Sequence, residues 1–313
     1  MHYIVTGGAG FIGSHLAERL LNDGNTVTIV DNLLTGKSES VDRLMAKHGK
    51  LLTFANMSIT DPGLPEVVAG ADTIFHEAAL PSVPRSIDFP LETHHHCVTG
   101  TLHVLEAARK SGVRRVVYAA SSSAYGEQEG EYKREDMTPQ PISPYGVAKL
   151  AGEMYCQVFT RVYGLETVCL RYFNVFGPRQ DPASQYAAVI PRFITAMLRG
   201  ERPTIYGDGQ QSRDFTYIDN VVHGNLLASR SPDAVGQMMN LATGGQVSLL
   251  ALVDKINALL GTELEPEFLP AREGDIKHSQ AAVDKARDLL DFSPIVNFDE
   301  GLRRTVAFYE FLA

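Results

Sequence analysis

Residues 6–13 read Thr6-Gly7-Gly8-Ala9-Gly10-Phe11-Ile12-Gly13, with the short apolar run Tyr3-Ile4-Val5 in front and an amphipathic helix pattern behind. Glycines at 7, 10 and 13 permit a tight strand-to-helix turn, close approach of a pyrophosphate to the backbone, and close packing of helix on strand. Backbone N–H groups at the helix start, aided by the helix dipole, then receive phosphate charge. Any tight turn of this kind favours glycine, so the neighbours decide the reading. Leu16, Leu20 and Leu21 extend an apolar face, Gly24 stops the helix, and Thr26 to Val30 form a β-branched run closed by Asp31. A carboxylate there accepts from both hydroxyls of an adenosine ribose and repels a 2′-phosphate, which favours NAD over NADP.

Alternating patterns continue through the first half. Leu51 to Phe54, Thr73 to Phe75, Arg115 to Ala120 and Thr167 to Leu170 read as strands. Leu102, Leu105, Ala107 and Ala108 mark one helix, and Val147, Leu150, Ala151, Met154, Val158 and Val162 mark another. This alternation predicts an α/β fold with a Rossmann-type doubly wound parallel sheet. From residue 174 the pattern becomes irregular, so the expected division is a dinucleotide-binding part over 1–173 and a smaller C-terminal, mainly substrate-binding region over 174–313. Met238 to Leu241, within 236–243, reads as one more strand returning to the sheet. Ligands of such sheets bind beyond the carboxyl ends of the strands, where the added region is expected to cover the crevice.

Composition narrows the partners. At 313 residues and 44% hydrophobic content the chain can bury a full core. A net charge of −9, from 28 basic and 37 acidic residues without a basic block, argues against nucleic acid. Cys97, Cys156 and Cys169 have no paired spacing, as expected of reduced thiols. No leader precedes the first strand and no apolar run has membrane-spanning length, so the expectation is a cytoplasmic protein with no membrane partner.

Tyr145-Gly146-Val147-Ala148-Lys149 opens a helix after Ser143-Pro144, and its Tyr and Lys, four apart, share one face. The strand Val116 to Ala120 ends in Ser121-Ser122-Ser123, again at a carboxyl end. Together these supply a phenol, an ammonium and a hydroxyl. A tyrosine is a poor base at a pKa of ~10, and lowering it to ~7 requires about 4 kcal/mol of differential stabilisation. A nearby lysine and an oxidised nicotinamide ring provide positive charge of the right sign, and the serine can hold or relay the proton of a sugar alcohol. On their own, such a Tyr and Lys more often mean an anchored aromatic and a solvated charge. The dinucleotide turn on the same sheet and Ser121 upstream reverse that preference.

With these motifs in place, the chain resembles the extended short-chain dehydrogenase/reductase family over nearly its full length, and within it the nucleotide-sugar 4-epimerases. The resemblance is carried by Gly7 to Gly13, Asp31-Asn32, His76-Glu77-Ala78-Ala79, Ser82 to Ser86, Ser121 to Gly126, Tyr145 to Lys149, Arg171 to Pro178, Arg213-Asp214-Phe215 and Arg272-Glu273-Gly274-Asp275. It implies that Tyr145 takes the proton of the sugar hydroxyl on carbon 4, that Ser121 hydrogen-bonds it, and that Lys149 binds the nicotinamide ribose and lowers the tyrosine pKa. It further implies cofactor contacts from Gly7, Gly10, Phe11, Ile12, Gly13, Asp31, Asn32, Ser58, Ile59, Ala78, Ala79 and Phe173. Substrate contacts are implied for Ser82, Ser122, Ser123, Asn174, Val189, Arg213, Arg272, Asp275 and Ser279. The implied chemistry is transient oxidation of a UDP-sugar at carbon 4, rotation of the keto sugar about its diphosphate link, and return of the hydrogen from the opposite face. A homodimer, paired through apolar faces at about 91–110 and 145–163, is implied as well.

Two positions discriminate among relatives. Dehydratases and decarboxylases of the family resemble one another in carrying acidic residues after the Ser/Thr position, where this chain has Ser122 and Ser123. Epimerases restricted to plain hexoses carry a bulky Tyr where this chain has Ser279, and a small residue there leaves room for an N-acetyl group. The segments Arg179 to Pro182 and Tyr186 to Pro191 also resemble epimerases of N-acetylhexosamines. The expectation is UDP-N-acetylglucosamine/UDP-N-acetylgalactosamine, with UDP-glucose/UDP-galactose also accommodated. The alternatives are a UDP-glucuronate 4-epimerase, a nucleotide-sugar dehydratase or decarboxylase, and a non-catalytic NAD-binding regulator.

The chain departs from the family at Ser58, in a stretch that usually carries Asp near the adenine, and at Cys97, which replaces an Asn near the cofactor. His94-His95-His96 suggests a metal only superficially, because successive helical side chains diverge by about 100°. No metal is expected; His76 is expected to pack at a strand end, and His278 lies near the substrate segment.

Overall fold

Successive strand residues divide between two apolar clusters, as a strand buried on both faces requires. Tyr3, Val5, Ile29, Val117, Val168 and Leu170 enter one cluster, while Ile4, Val30, Val116, Tyr118 and Cys169 enter the other. The computed structural model describes residues 1–128, 130, 132–182, 188–271 and 277–313. Its strands are β1 (His2–Thr6), β2 (Thr26–Asp31), β3 (Leu52–Asn56), β4 (Thr73–His76), β5 (Arg115–Ser121) and β6 (Glu166–Tyr172), joined by Met238–Leu241. All pair in parallel, in the order Met238–Leu241, β6, β5, β4, β1, β2, β3. The winding reverses between β1 and β4, and a crevice opens at their carboxyl ends.

The expected returning strand is present, with Met238 opposite Cys169 and Leu241 opposite Tyr172. Beyond residue 174 the chain forms short strands: Val175–Phe176 with Thr216–Tyr217, and Ser212–Arg213 between Val247–Ser248 and His278–Ser279. This region shares the sheet's core, since Ile190, Phe193, Val221 and Leu226 lie in the same cluster as Val5 and Leu170.

The helix Pro144–Tyr163 spans the expected residues. Ser143 caps it, its hydroxyl accepting from the Gly146 N–H at 3.1 Å, and Pro144 occupies the first turn. Its buried face is Gly146, Ala148, Lys149, Gly152, Glu153, Cys156 and Phe159. The apolar stripe read from the sequence points outward: Val147, Met154, Val158 and Val162 are 53%, 55%, 49% and 62% exposed. Close approach explains why this stripe does not face the sheet. A Cβ on Gly152 would stand 2.2 Å from the Tyr118 phenolic oxygen, so the inner face takes small and ionic residues.

Candidate active site

The glycine turn is built for contact. Gly7 has φ +68°, and a Cβ there would meet the Ala78 nitrogen at 2.7 Å. A Cβ on Gly13 would meet the Gly7 carbonyl at 2.3 Å, so the helix can seat on β1 only with glycine. Asp31, at the end of β2, accepts from the Ala9 N–H at 3.0 Å with one oxygen and from the Leu33 N–H at 2.8 Å with the other. Each oxygen keeps a lone pair for a ribose hydroxyl. Gly7, Gly10, Phe11, Ile12, Gly13, Asp31, Asn32, Ser58, Ile59, Ala78 and Ala79 line one cleft of about 720 Å³. The donor set and the space at the glycines fit a dinucleotide. Ser58 turns its hydroxyl toward Thr60, at 2.9 Å, and Cys97 receives the Leu80 N–H at 3.4 Å.

Ser121, Ser122, Ser123, Tyr145 and Lys149 line the same cleft. The Ser121 hydroxyl hydrogen-bonds Tyr145 and accepts from the Ser123 N–H at 3.2 Å. Buried Lys149 donates to the Ala119 carbonyl at 2.7 Å, and its ammonium stands 6.0 Å from the Tyr145 ring centroid. Burial pushes the Tyr145 phenol well above its ordinary range, with the Ser121 hydrogen bond opposing. Burial also pulls Lys149 down. In the protein by itself the tyrosine is therefore neutral, and a further positive charge in the cleft is needed to make it a base.

The sequence profile of the NAD dependent epimerase/dehydratase family matches residues 3–242. The chain belongs to that family. It is 39% identical to the UDP-glucose 4-epimerase of Mycolicibacterium smegmatis over 312 residues, covering 99% of this chain and 98% of the relative. A solved UDP-N-acetylglucosamine 4-epimerase of Methanobrevibacter ruminantium, in complex with UDP-N-acetylmuramic acid, superposes with TM-score 0.95 at 40% identity, covering 100% of this chain and 99% of that one. A UDP-glucuronic acid 4-epimerase of Bacillus cereus, solved with UDP-glucuronic acid and NAD, gives TM-score 0.92 at 33% identity, with both chains fully covered, 100% each.

Several cleft residues of this family member were read only as parts of motifs, without a role of their own. Glu77, at the carboxyl end of β4, accepts from the Tyr172 hydroxyl at 2.8 Å, and both line the cleft. Arg179, Gln180 and Asp181 also line it, arriving from the C-terminal side of β6. Arg179, at φ +70°, donates to His15 Nε2 at 3.2 Å and to Glu18 at 2.9 Å. Burial pulls His15 down to about 4, so the ring is neutral, its Nδ1–H donating to the Phe11 carbonyl at 2.9 Å. Lys37 pairs with Asp181 at 3.1 Å, and the Tyr309 phenol donates to the Gln180 carbonyl. Segment 177–182 is thus strapped to the dinucleotide half at several points.

Other expected positions lie apart from the cleft lining. Asn174 does line it, at φ +32°, with its amide donating to the Asp214 carbonyl at 3.1 Å. Arg213 and buried Ser279 sit opposite one another on neighbouring strands. Ser82 caps the helix Val83–Asp88, accepting from the Arg85 N–H at 3.1 Å, and Val189 packs on the core at the start of Val189–Leu198. The Phe173 side chain is fully buried with Tyr125, Ala242 and Ala281. Arg272 and Asp275, and Tyr186 with Ala187, fall outside the described residues. His76 is buried between Thr6 at 2.8 Å and Thr101 at 3.0 Å and held neutral by burial, with its pKa down to about 3. His278 bonds Ser212 at 2.7 Å. Among the described residues no group of His, Cys, Asp and Glu has a metal-binding arrangement, and no helix is long and apolar enough to cross a membrane.

Proposed function

We propose that the protein is an NAD-dependent UDP-sugar 4-epimerase acting through a transient 4-keto sugar, with UDP-N-acetylglucosamine and UDP-N-acetylgalactosamine as its preferred pair and UDP-glucose and UDP-galactose also accepted. The observation that carries this reading is the meeting of Ser121, Tyr145 and Lys149 in the cleft that the glycine turn opens. Gly7 to Gly13, Asp31, Asn32, Ser58, Ile59, Ala78 and Ala79 hold NAD, which supplies the acceptor and later the donor of the carbon-4 hydrogen. Tyr145 takes the proton of the 4-hydroxyl on oxidation and returns it on reduction. Ser121 holds that hydroxyl in line, and the Lys149 ammonium opposes the charge left on the phenol. Asn174, Arg213, Arg272 and Asp275 grip the nucleotide and diphosphate, since Arg offers forked donors to phosphate. Ser82, Ser122, Ser123, Val189 and Ser279 face the sugar. Binding energy sits in the nucleotide, leaving the hexose free to present either face.

Ser122 and Ser123 in place of acids favour epimerisation over elimination or decarboxylation. The test is incubation with a panel of UDP-sugars without added reductant, followed by NMR. The expected product is the 4-epimer of unchanged mass, without accumulation of free reduced cofactor. Loss of water or carbon dioxide would instead assign the dehydratase or decarboxylase reaction. Ser279→Tyr, which fills a buried position, is expected to lower kcat/KM for the N-acetyl pair by about tenfold or more relative to the plain hexoses. Equal losses for both pairs refute the N-acetyl preference.

We further propose a homodimer built on the outward stripe of Pro144–Tyr163. Val147, Met154, Val158 and Val162 are exposed on one helix, and Leu91 is 86% exposed on the adjacent helix Pro90–His94, apolar groups of the kind that mark a subunit contact. One such face on each subunit pairs with itself across a two-fold axis. Sedimentation of the wild type should give a dimer, and Val158→Glu with Val162→Glu a monomer. A wild-type monomer at micromolar concentration removes the proposal.

A further inference from the structure

Glu77 has no part in the proton transfer derived above, yet its carboxyl is fixed on the wall of the same cleft. The Tyr172 hydroxyl donates to Glu77 Oε1 at 2.8 Å, and the amide of fully buried Asn225 donates to the Tyr172 oxygen at 2.8 Å. Asn225 comes from the helix Ile218–Ala228 behind the sheet, so its amide holds the phenol from the far side. The Glu77 backbone N–H donates to the Thr6 carbonyl at 3.2 Å, which ties the residue to the end of β1. The carboxyl thus stands at the switch point of the sheet, held by three elements.

The charged and titratable groups around it are few. From the helix Pro144–Tyr163 come Lys149, attracted to it, and Tyr145, whose ionisation it resists. Tyr172 comes from β6, and burial holds that phenol protonated. His76, adjacent in the chain, is neutral and engaged with Thr6 and Thr101. Among the described residues no other charged group acts on Glu77. Burial raises the carboxyl to about 7, with Tyr172 and Lys149 opposing, so it changes charge near neutrality.

We propose that Glu77 is a positioning residue for the proton-transfer pair: clamped by Tyr172 and Asn225, its charge governs how readily Tyr145 releases its proton and how firmly Lys149 keeps its own. An anion there works against a second anion on the phenol and favours the ammonium. With Glu77 protonated, Tyr145 ionises more easily; with Glu77 ionised, the phenol holds its proton. The inference rests on Tyr145 being the base, and its test reads the phenol directly rather than turnover.

The chain has no tryptophan, so tyrosinate absorbance is free of indole. NAD-loaded protein is titrated by ultraviolet difference spectroscopy, and each background is compared with the same background carrying Tyr145→Phe to isolate one phenol among 12 tyrosines. Glu77→Gln keeps the side chain's shape and removes its charge. It should move the Tyr145 midpoint to lower pH, shifting the ionisation equilibrium by roughly tenfold, the size of one charge acting across a partly buried site. Tyr172→Phe, which withdraws the donor that stabilises the carboxylate, should move it the same way. Glu77→Asp, which keeps the charge, should lie closer to wild type than Glu77→Gln does. Coincident midpoints for wild type, Glu77→Gln and Tyr172→Phe overturn the proposal. A midpoint shift in a protein that interconverts no UDP-sugar upholds the role of Glu77 and refutes the epimerase reading instead.

Discussion

Tyr145→Phe is expected to lower kcat for UDP-sugar interconversion roughly 10²- to 10⁴-fold, the range over which a positioned acid or base acts. The substitution removes one oxygen and leaves the ring, which packs partly buried beside Lys149. Bound NAD and the melting temperature should therefore change little, and KM should move less than kcat, because the lost contact belongs to the transition state. NMR of the epimer ratio against time supplies the rate, and released nucleotide after denaturation supplies the cofactor content. A variant within threefold of wild type would remove Tyr145 from the chemistry. A variant that loses NAD as well would show that the phenol's main task is to hold the cofactor.

Glu153→Leu is expected to cost about 3–5 kcal/mol of stability, the penalty for stranding one partner of a buried ion pair. Glu153 and Arg171 are 3% and 1% exposed in their side chains and meet through two hydrogen bonds of 2.8 and 2.7 Å. The guanidinium also lies over the Tyr125 ring, 4.3 Å from its centroid. Burial still raises the Glu153 carboxyl above its ordinary range despite the arginine beside it, so the pair does not fully offset the loss of water. Removing both charges together should accordingly be far milder than removing one. Glu153→Leu with Arg171→Met is expected to recover most of the stability lost by Glu153→Leu alone, as read from denaturant midpoints. Equal destabilisation in the single and double variants would mean that packing, not charge, sets the cost. Glu153 lies one turn beyond Lys149, and the pair with Arg171 pins the helix Pro144–Tyr163 to β6.

The strands were legible because a parallel sheet covered on both faces writes its members as uninterrupted β-branched runs. Thr26 to Val30 is an example, whereas the return strand Met238 to Leu241 was marked by an apolar run without β-branched residues. Asp31 was legible because one local unit of strand, turn and helix fixes its place. The helix carrying Tyr145 was legible in extent, and its outward apolar face was legible only through the family resemblance. Periodicity alone cannot say which face of a helix meets the sheet without knowing what Gly152 must make room for. Glu77 was quoted within a motif but carried no visible role, since its meaning depends on Tyr172 and Asn225. The strap was illegible for the same reason: Arg179 and Glu18 are 161 residues apart, and only the fold makes them neighbours.

Arg179, Gln180 and Asp181 line the same cleft as the glycine turn, and their ties to His15, Glu18 and Lys37 join the C-terminal region to the first helix and the loop after β2. In the proposed reaction the hydrogen borrowed from carbon 4 is returned to the same sugar, so the direction of interconversion answers to the supply of the two sugars rather than to the redox poise of the surrounding coenzyme pool.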